Sequence, residues 1–223
     1  MTPSEKYKLL VENVERIKAQ NGINYNIDIV VVTKYTDINN VINLLSNEKI
    51  EHIGENRIQE AEKKFNLLSE MKLLTGVKKH MLGTVQSNKI AKVSKTFDFV
   101  QSIENISVPL GLIKRNYKGE MFLEIKVSDE VTKHGVLPEM ALDIFGKLTE
   151  NGIKISGLMA MAPYTSDVKV LSKCFSTLRK LKEEIESTYK TSLTYLSMGM
   201  TNDYEIAIKE GSNMIRIGTF IFS

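Results

Sequence analysis

Ile27-Asp28-Ile29-Val30-Val31-Val32-Thr33-Lys34 is a run of β-branched apolar residues that ends on a lysine. Five of its first six residues are Ile or Val, so both faces read as buried, as in a parallel sheet covered by helices. Lys34 falls at the carboxyl end, where open and barrel α/β sheets place their active sites. A lysine amine in a partly dry pocket loses its proton near neutral pH and can form a Schiff base. Taken alone, the strand favours the plainer reading, a lysine that merely marks where the chain meets solvent.

On the amino side of this strand, Thr2-Pro3-Ser4-Glu5 has the form of a capping box with proline at the first helical position. Tyr7, Leu10, Val11, Val14 and Ile17 follow at helical spacing, and Gly22 supplies a stop. On the carboxyl side, strands and helices alternate. After the Lys34 strand, further strands are expected at Ile50–Ile53, Lys79–Leu82, Thr96–Ser102, Glu120–Val127, Ile153–Met159, Leu193–Met198 and Asn213–Ile217. The intervening helices include one with Ile58, Ala61, Phe65 and Leu68 on one stripe, one at Pro138–Glu150, a long one from Asp167 to Tyr189, and one at Asn202–Glu210. The last is expected to open with a capping box from Asn202 to Glu205 and to stop at Gly211. A polar loop is expected over Ser128–Gly135. Eight strands alternating with helices, without a linker or a break in composition, predict a single (β/α)8 TIM barrel over residues 1–223, preceded by an extra helix.

The net charge of +3 is small, and the lysines are interleaved with Glu and Asp, which argues against a nucleic-acid surface. Cys174 is the single cysteine, so no internal disulfide framework exists, and a small buried hydrophobe is the expected role. His52, His80 and His134 have no metal-ligand spacing. No apolar run is long enough to span a membrane, and the polar N-terminus carries no signal-peptide core, so the expected location is the cytoplasm.

In a barrel, the strand ends share one mouth. Lys34, Asn56, Gly83, Ser102, Met159, Met198 and the segment around Arg216 are expected there, with His80 slightly earlier and pointing inward. Few carboxylates join them, so paired-carboxylate hydrolysis has little support. No Ser-His-Asp signature is present either. Arg216 is one of five arginines and lies in the apolar strand Met214-Ile215-Arg216-Ile217, where a charge is costly unless it meets an anion or a strong acceptor. Gly218-Thr219 follows at once, and Ser197-Met198-Gly199-Met200-Thr201 supplies the neighbouring loop. Loops after strands seven and eight of barrels often bind phosphate through backbone amides. An amine at one strand end and a phosphate cradle at two others suggest a phosphorylated aldehyde. Pyridoxal 5'-phosphate meets both demands, as an imine on Lys34, with its phosphate near Met200 and Gly218-Thr219 and Arg216 toward the ring nitrogen.

The same residues carry a family likeness. Val31-Val32-Thr33-Lys34, Gly54-Glu55-Asn56-Arg57-Ile58-Gln59-Glu60, His80-Met81-Leu82-Gly83, Gln86-Ser87-Asn88-Lys89, Gly157-Leu158-Met159-Ala160, Leu196-Ser197-Met198-Gly199-Met200 and Arg216-Ile217-Gly218-Thr219 occur in order along nearly the whole chain. The chain thereby resembles the YggS/PROSC family of pyridoxal phosphate homeostasis proteins, whose barrel is like the alanine racemase N-terminal domain. The resemblance implies covalent attachment of the cofactor to Lys34. It also implies roles for Asn56, Ser197, Arg216, Gly218 and Thr219 around the ring and phosphate. With the strand-end placement, the expected cofactor-binding set is Lys34, Asn56, His80, Met159, Ser197, Met200, Thr201, Arg216, Gly218 and Thr219. The chain departs from the family at Thr33 and Tyr35, where serine and threonine are usual, at Met81-Leu82, where Phe-Ile is common, and at His134 in the Val131–Gly135 loop.

Binding this cofactor does not by itself make an enzyme. Catalysis needs an electron sink and a base for the substrate's α-proton, and an arginine cannot readily protonate the ring nitrogen. Alanine racemases share such an arginine but add a β-rich domain that supplies a tyrosine base, for which a chain ending at Ser223 is expected to have no room. The leading expectation is a monomeric carrier and buffer of pyridoxal 5'-phosphate that affects amino-acid and keto-acid balance and exchanges with PLP-dependent client enzymes. The alternative is a PLP-dependent amino-acid racemase or related enzyme. A third reading makes Lys34 the Schiff-base lysine of an aldolase acting on sugar phosphates, and it predicts a colourless protein.

Overall fold

All eight expected strands form, and they close in chain order into a parallel barrel in which β1 pairs with both β2 and β8. The computed structural model describes residues 1–128 and 134–223. The strands are β1 (Asp28–Val32), β2 (His52–Glu55), β3 (Lys78–Met81), β4 (Phe99–Ile103), β5 (Glu120–Ile125), β6 (Gly157–Ala160), β7 (Tyr195–Ser197) and β8 (Met214–Ile217). The helices are α1 (Pro3–Gln20), α2 (Ile38–Asn47), α3 (Ile58–Glu70), α4 (Ile90–Thr96), α5 (Ser107–Ile113), α6 (Ala141–Glu150), α7 (Val168–Tyr189), α8 (Tyr204–Lys209) and α9 (Thr219–Phe222).

Alternation along the strands builds two separate interiors. Val31, Ile53, Met81, Val100, Leu123, Leu158, Leu196 and Ile217 face outward and pack under the helices. Val30, Phe99, Phe122, Met159 and Met214 face inward and form a small cluster of their own. α1 begins with the expected capping box, Thr2 and Glu5 exchanging side-chain and backbone bonds. Its Leu10, Val14 and Ile17 are buried against Tyr204, Ile208 and Ile221, so the helix covers the seam where β8 meets β1. Val11, expected on that stripe, is exposed.

Several expected elements differ in extent. β1 stops at Val32, and Lys34 lies in a turn beyond it, with Tyr35 at φ 64°. β6 starts at Gly157 rather than Ile153. Residues 153–156 approach the barrel as irregular chain in which Ile153 and Ile155 are nonetheless buried. The capping box expected from Asn202 to Glu205 is absent. α8 starts after Asp203, whose carboxylate instead takes the Met200 amide at 2.5 Å and closes an extra turn. The four-residue helix α9 was not foreseen. Of the expected loop over Ser128–Gly135, residues 129–133 lie outside the described residues, whereas His134 is exposed, with its Nδ1 3.9 Å from Glu104 Oε2. Cys174 is buried, and its thiol donates to the Val127 carbonyl.

Candidate functional site

The carboxyl ends of the strands surround a cavity of about 660 Å³, within the range of small-molecule and cofactor sites. Lys34 enters it from the turn after β1. Its amine lies 5.6 Å from the Tyr35 ring centroid. Partial burial, and then the charge of Arg216, lower its pKa from the ordinary lysine value, while Glu55 opposes them. The turn is braced from below. The Thr33 hydroxyl donates to Glu55 Oε1 at 2.5 Å, and Lys64 of α3 donates to the Thr33 carbonyl at 2.6 Å and also to Glu55. Glu55 and Thr33 are fully buried, so the backbone just before Lys34 is held by a charge-assisted network rather than by solvent.

Across the mouth, Arg216 sits on the inward face of β8 and lines the same cavity. Its guanidinium donates to Ser197 Oγ at 2.8 Å and to the Ala160 carbonyl at 2.9 Å. Burial lowers it to about 10, with Glu124 and Asp203 acting in the opposite sense, so it stays charged at neutral pH. Glu124 of β5 also lines the cavity. Burial, and then Glu104, push its carboxyl up to about 7, against the attraction of Arg216.

The two loops expected to seat a phosphate are joined to each other. The Phe220 amide at the start of α9 donates to Thr201 Oγ1 at 3.2 Å. A Cβ on Gly218 would stand 2.8 Å from the Val32 carbonyl oxygen, so only glycine lets this turn pack on β1 next to Lys34. The Met200 amide is engaged by Asp203, and Thr201, Gly218 and Thr219 line the cavity as the rest of the cradle.

Of the expected cofactor-binding set, Lys34, Asn56, Met159, Met200, Thr201, Arg216, Gly218 and Thr219 line this one cavity. His80 and Ser197 do not. Both are fully buried in the barrel beneath it. Ser102 and Met198, also expected at the mouth, do not line the cavity. Ser102 donates to the Gly83 carbonyl, and Met198 packs under the helices. Glu124 was missed, although a signal existed. Phe122, Glu124 and Lys126 alternate with apolar residues, and a barrel strand has no solvent face. A carboxylate on that face therefore points into the barrel or its mouth.

The donor set suits an aldehyde that carries a phosphate and an aromatic nitrogen. It offers one amine held partly dry, one buried guanidinium, and threonine hydroxyls beside a glycine turn. Residues 7–223 match the family described as the alanine racemase N-terminal domain. The chain belongs to that family. Its relatives include a pyridoxal phosphate homeostasis protein of Aquifex aeolicus (strain VF5), 30% identical over 227 residues that span 100% of this chain and 98% of that one. A crystal structure of an unknown protein from Bifidobacterium adolescentis superposes with a TM-score of 0.89 at 30% identity, covering 99% of this chain and 94% of that one. PipY of Synechococcus elongatus PCC7942, solved with PLP bound, superposes with a TM-score of 0.79 at 26% identity, covering 94% of this chain and 99% of its own. Family membership thus agrees with the closed eight-stranded barrel.

Proposed function

We propose that this chain binds pyridoxal 5'-phosphate through a covalent bond to Lys34, and that it carries and buffers the cofactor. The observation that carries the reading is the Lys34 amine, its pKa lowered, facing a cavity it shares with Arg216 and the Thr201/Gly218/Thr219 cradle. PipY, a relative with the same fold, has been solved with that cofactor. When bound, the group supplies an aldehyde that condenses with amines and a ring that withdraws electrons. The protein's part is to ease loss of the amine's proton, to seat the phosphate, and to place a fixed cation at the ring. In the cell the chain acts as a cytoplasmic monomer that exchanges the cofactor with PLP-dependent enzymes and so influences amino-acid and keto-acid balance.

Incubation of the purified protein with pyridoxal 5'-phosphate should give a protein-bound visible absorption band that Lys34→Ala abolishes. A colourless protein after incubation would contradict the assignment and favour the aldolase reading. One observation favours a second reading, an amino-acid racemase or related enzyme. Glu124 lines the cavity with its carboxyl near 7, where a group can both take and give a proton. Exchange of substrate α-protons in deuterated water, lost in Glu124→Gln, would establish that reading. No exchange across a broad amino-acid panel leaves the carrier.

A further inference from the structure

Below the cavity, a line of polar side chains crosses the barrel interior. Arg216 Nη1 lies 2.8 Å from Ser197 Oγ, and Ser197 Oγ lies 2.7 Å from Gln101 Oε1. Gln101 Nε2 lies 2.8 Å from His80 Nδ1, and His80 Nε2 lies 2.9 Å from His52 Nδ1. His52 Nε2 faces Asp28 Oδ2 at 3.9 Å. The residues come from β8, β7, β4, β3, β2 and β1, so the line runs from the mouth to the amino ends of the strands. Ser197, Gln101 and His80 are fully buried, and the His80 ring stacks on Phe99 at 4.1 Å.

The Arg216 end fixes the direction of every hydrogen bond in the line, and the Asp28 charge beyond its far end agrees with it. A guanidinium only donates, and an ionised carboxylate only accepts. Ser197 therefore accepts from Arg216 and has its own proton free for Gln101 Oε1. That orients the amide, so Gln101 Nε2 donates to His80 Nδ1. His80 must then carry its proton on Nε2 and donate to His52 Nδ1. His52 in turn presents Nε2–H to Asp28. With the amide reversed, Ser197 would have two donors facing its oxygen and no acceptor for its proton. His52 would then turn a lone pair toward a carboxylate. The burial of His80 keeps its ring neutral, as this pattern requires.

We infer that these residues form one directional hydrogen-bond relay, and that Gln101 is the positioning residue that fixes Arg216 for the ligand of the cavity. Ser197 then acts on Arg216 rather than on a phosphate, because its only proton is directed at Gln101. The part played by Arg216 toward pyridoxal 5'-phosphate rests on the reading given above, whereas the direction of the relay does not.

The test uses the full ¹⁵N-labelled chain and long-range ¹H–¹⁵N correlation of its imidazoles, with His134→Asn to assign the third ring. His52 and His80 should both be neutral, with Nε2–H and bare Nδ1, with or without cofactor. A Nδ1–H tautomer or a charged ring at His80 near neutral pH would overturn the relay. In Gln101→Glu the donor to His80 Nδ1 is gone, so His80 should switch to Nδ1–H. An unchanged tautomer there also counts against the relay. The wild-type spectrum decides the direction even if that variant does not fold. Gln101→Met should weaken retention of pyridoxal 5'-phosphate about fivefold, the worth of one net hydrogen bond, and shift its visible band. Correct tautomers with unchanged retention and spectrum would overturn the positioning role. A wild-type protein that binds no cofactor would overturn the proposed function and leave the relay standing.

Discussion

The barrel has two interiors, and they are built on different chemistry. Between the strands and the helices the packing is almost entirely apolar, from Val41 and Ile53 around to Phe175 and Ile185. Inside the strands, among the described residues, five buried apolar side chains cluster, Val30, Phe99, Phe122, Met159 and Met214. The rest of that space holds His80, Gln101, Ser197, Arg216 and Glu124, all buried. Apolar burial is non-directional, so the outer layer supplies stability at little cost in specificity. Buried polar groups must each find a partner, so the inner layer is constrained one bond at a time. Stability and ligand handling are thereby separated by the thickness of the sheet.

That separation can be broken by substitution. Phe175 is fully buried in the outer layer. Phe175→Ala should lower stability by about 4 kcal/mol in chemical denaturation and leave the bound-cofactor spectrum unchanged. Lys64→Met is the outer-layer change that should reach the cavity. It leaves Glu55 buried without its cation, at about 3 kcal/mol, and frees the backbone before Lys34, so cofactor retention should fall with stability.

Glu124 tests the inner layer through pH. Its folded value near 7 lies above the ordinary carboxylate value of 4.5. The folded state therefore binds more protons than the unfolded state between those limits, and stability falls as pH rises from about 4.5 to about 7. Glu124→Gln should remove that fall and gain about 3 kcal/mol at pH 8 relative to wild type, read from melting curves at pH 5 and pH 8. The smallest stability effect is expected at Arg216→Met. An apolar side chain replaces a buried charge there, at a net change of about 1 kcal/mol or less. Retention of pyridoxal 5'-phosphate should nonetheless fall about tenfold or more, as expected for a lost charge-assisted bond. A variant that lost stability and kept the cofactor would reverse the comparison.

The outer layer was legible in the sequence because it is periodic. Leu10, Val14 and Ile17 on α1, and Ile58, Ala61, Phe65 and Leu68 on α3, stand at helical spacing and are buried. Strand number and order followed from the same alternation. The mouth was legible in part. Lys34 and Arg216 are charges at the ends of apolar strands, and that anomaly is visible without coordinates. The inner layer was not legible as a unit. Its polar residues fall one to a strand at separations from 19 to 96 residues along the relay, and nothing local links Gln101 to Ser197. His80 and Ser197 were therefore expected at the mouth, whereas they are buried beneath the cavity and do not line it. Short-range reading also failed at Asp203, because the choice between capping α8 and binding the Met200 amide depends on the turn before the helix.

The central claim is that Lys34 is the amine that takes the cofactor, and one measurement addresses it directly. The protein is incubated with pyridoxal 5'-phosphate, reduced with borohydride, digested, and mapped by peptide mass. The account predicts a single stoichiometric adduct on Lys34. A clean adduct on another lysine, or none at all, would contradict it.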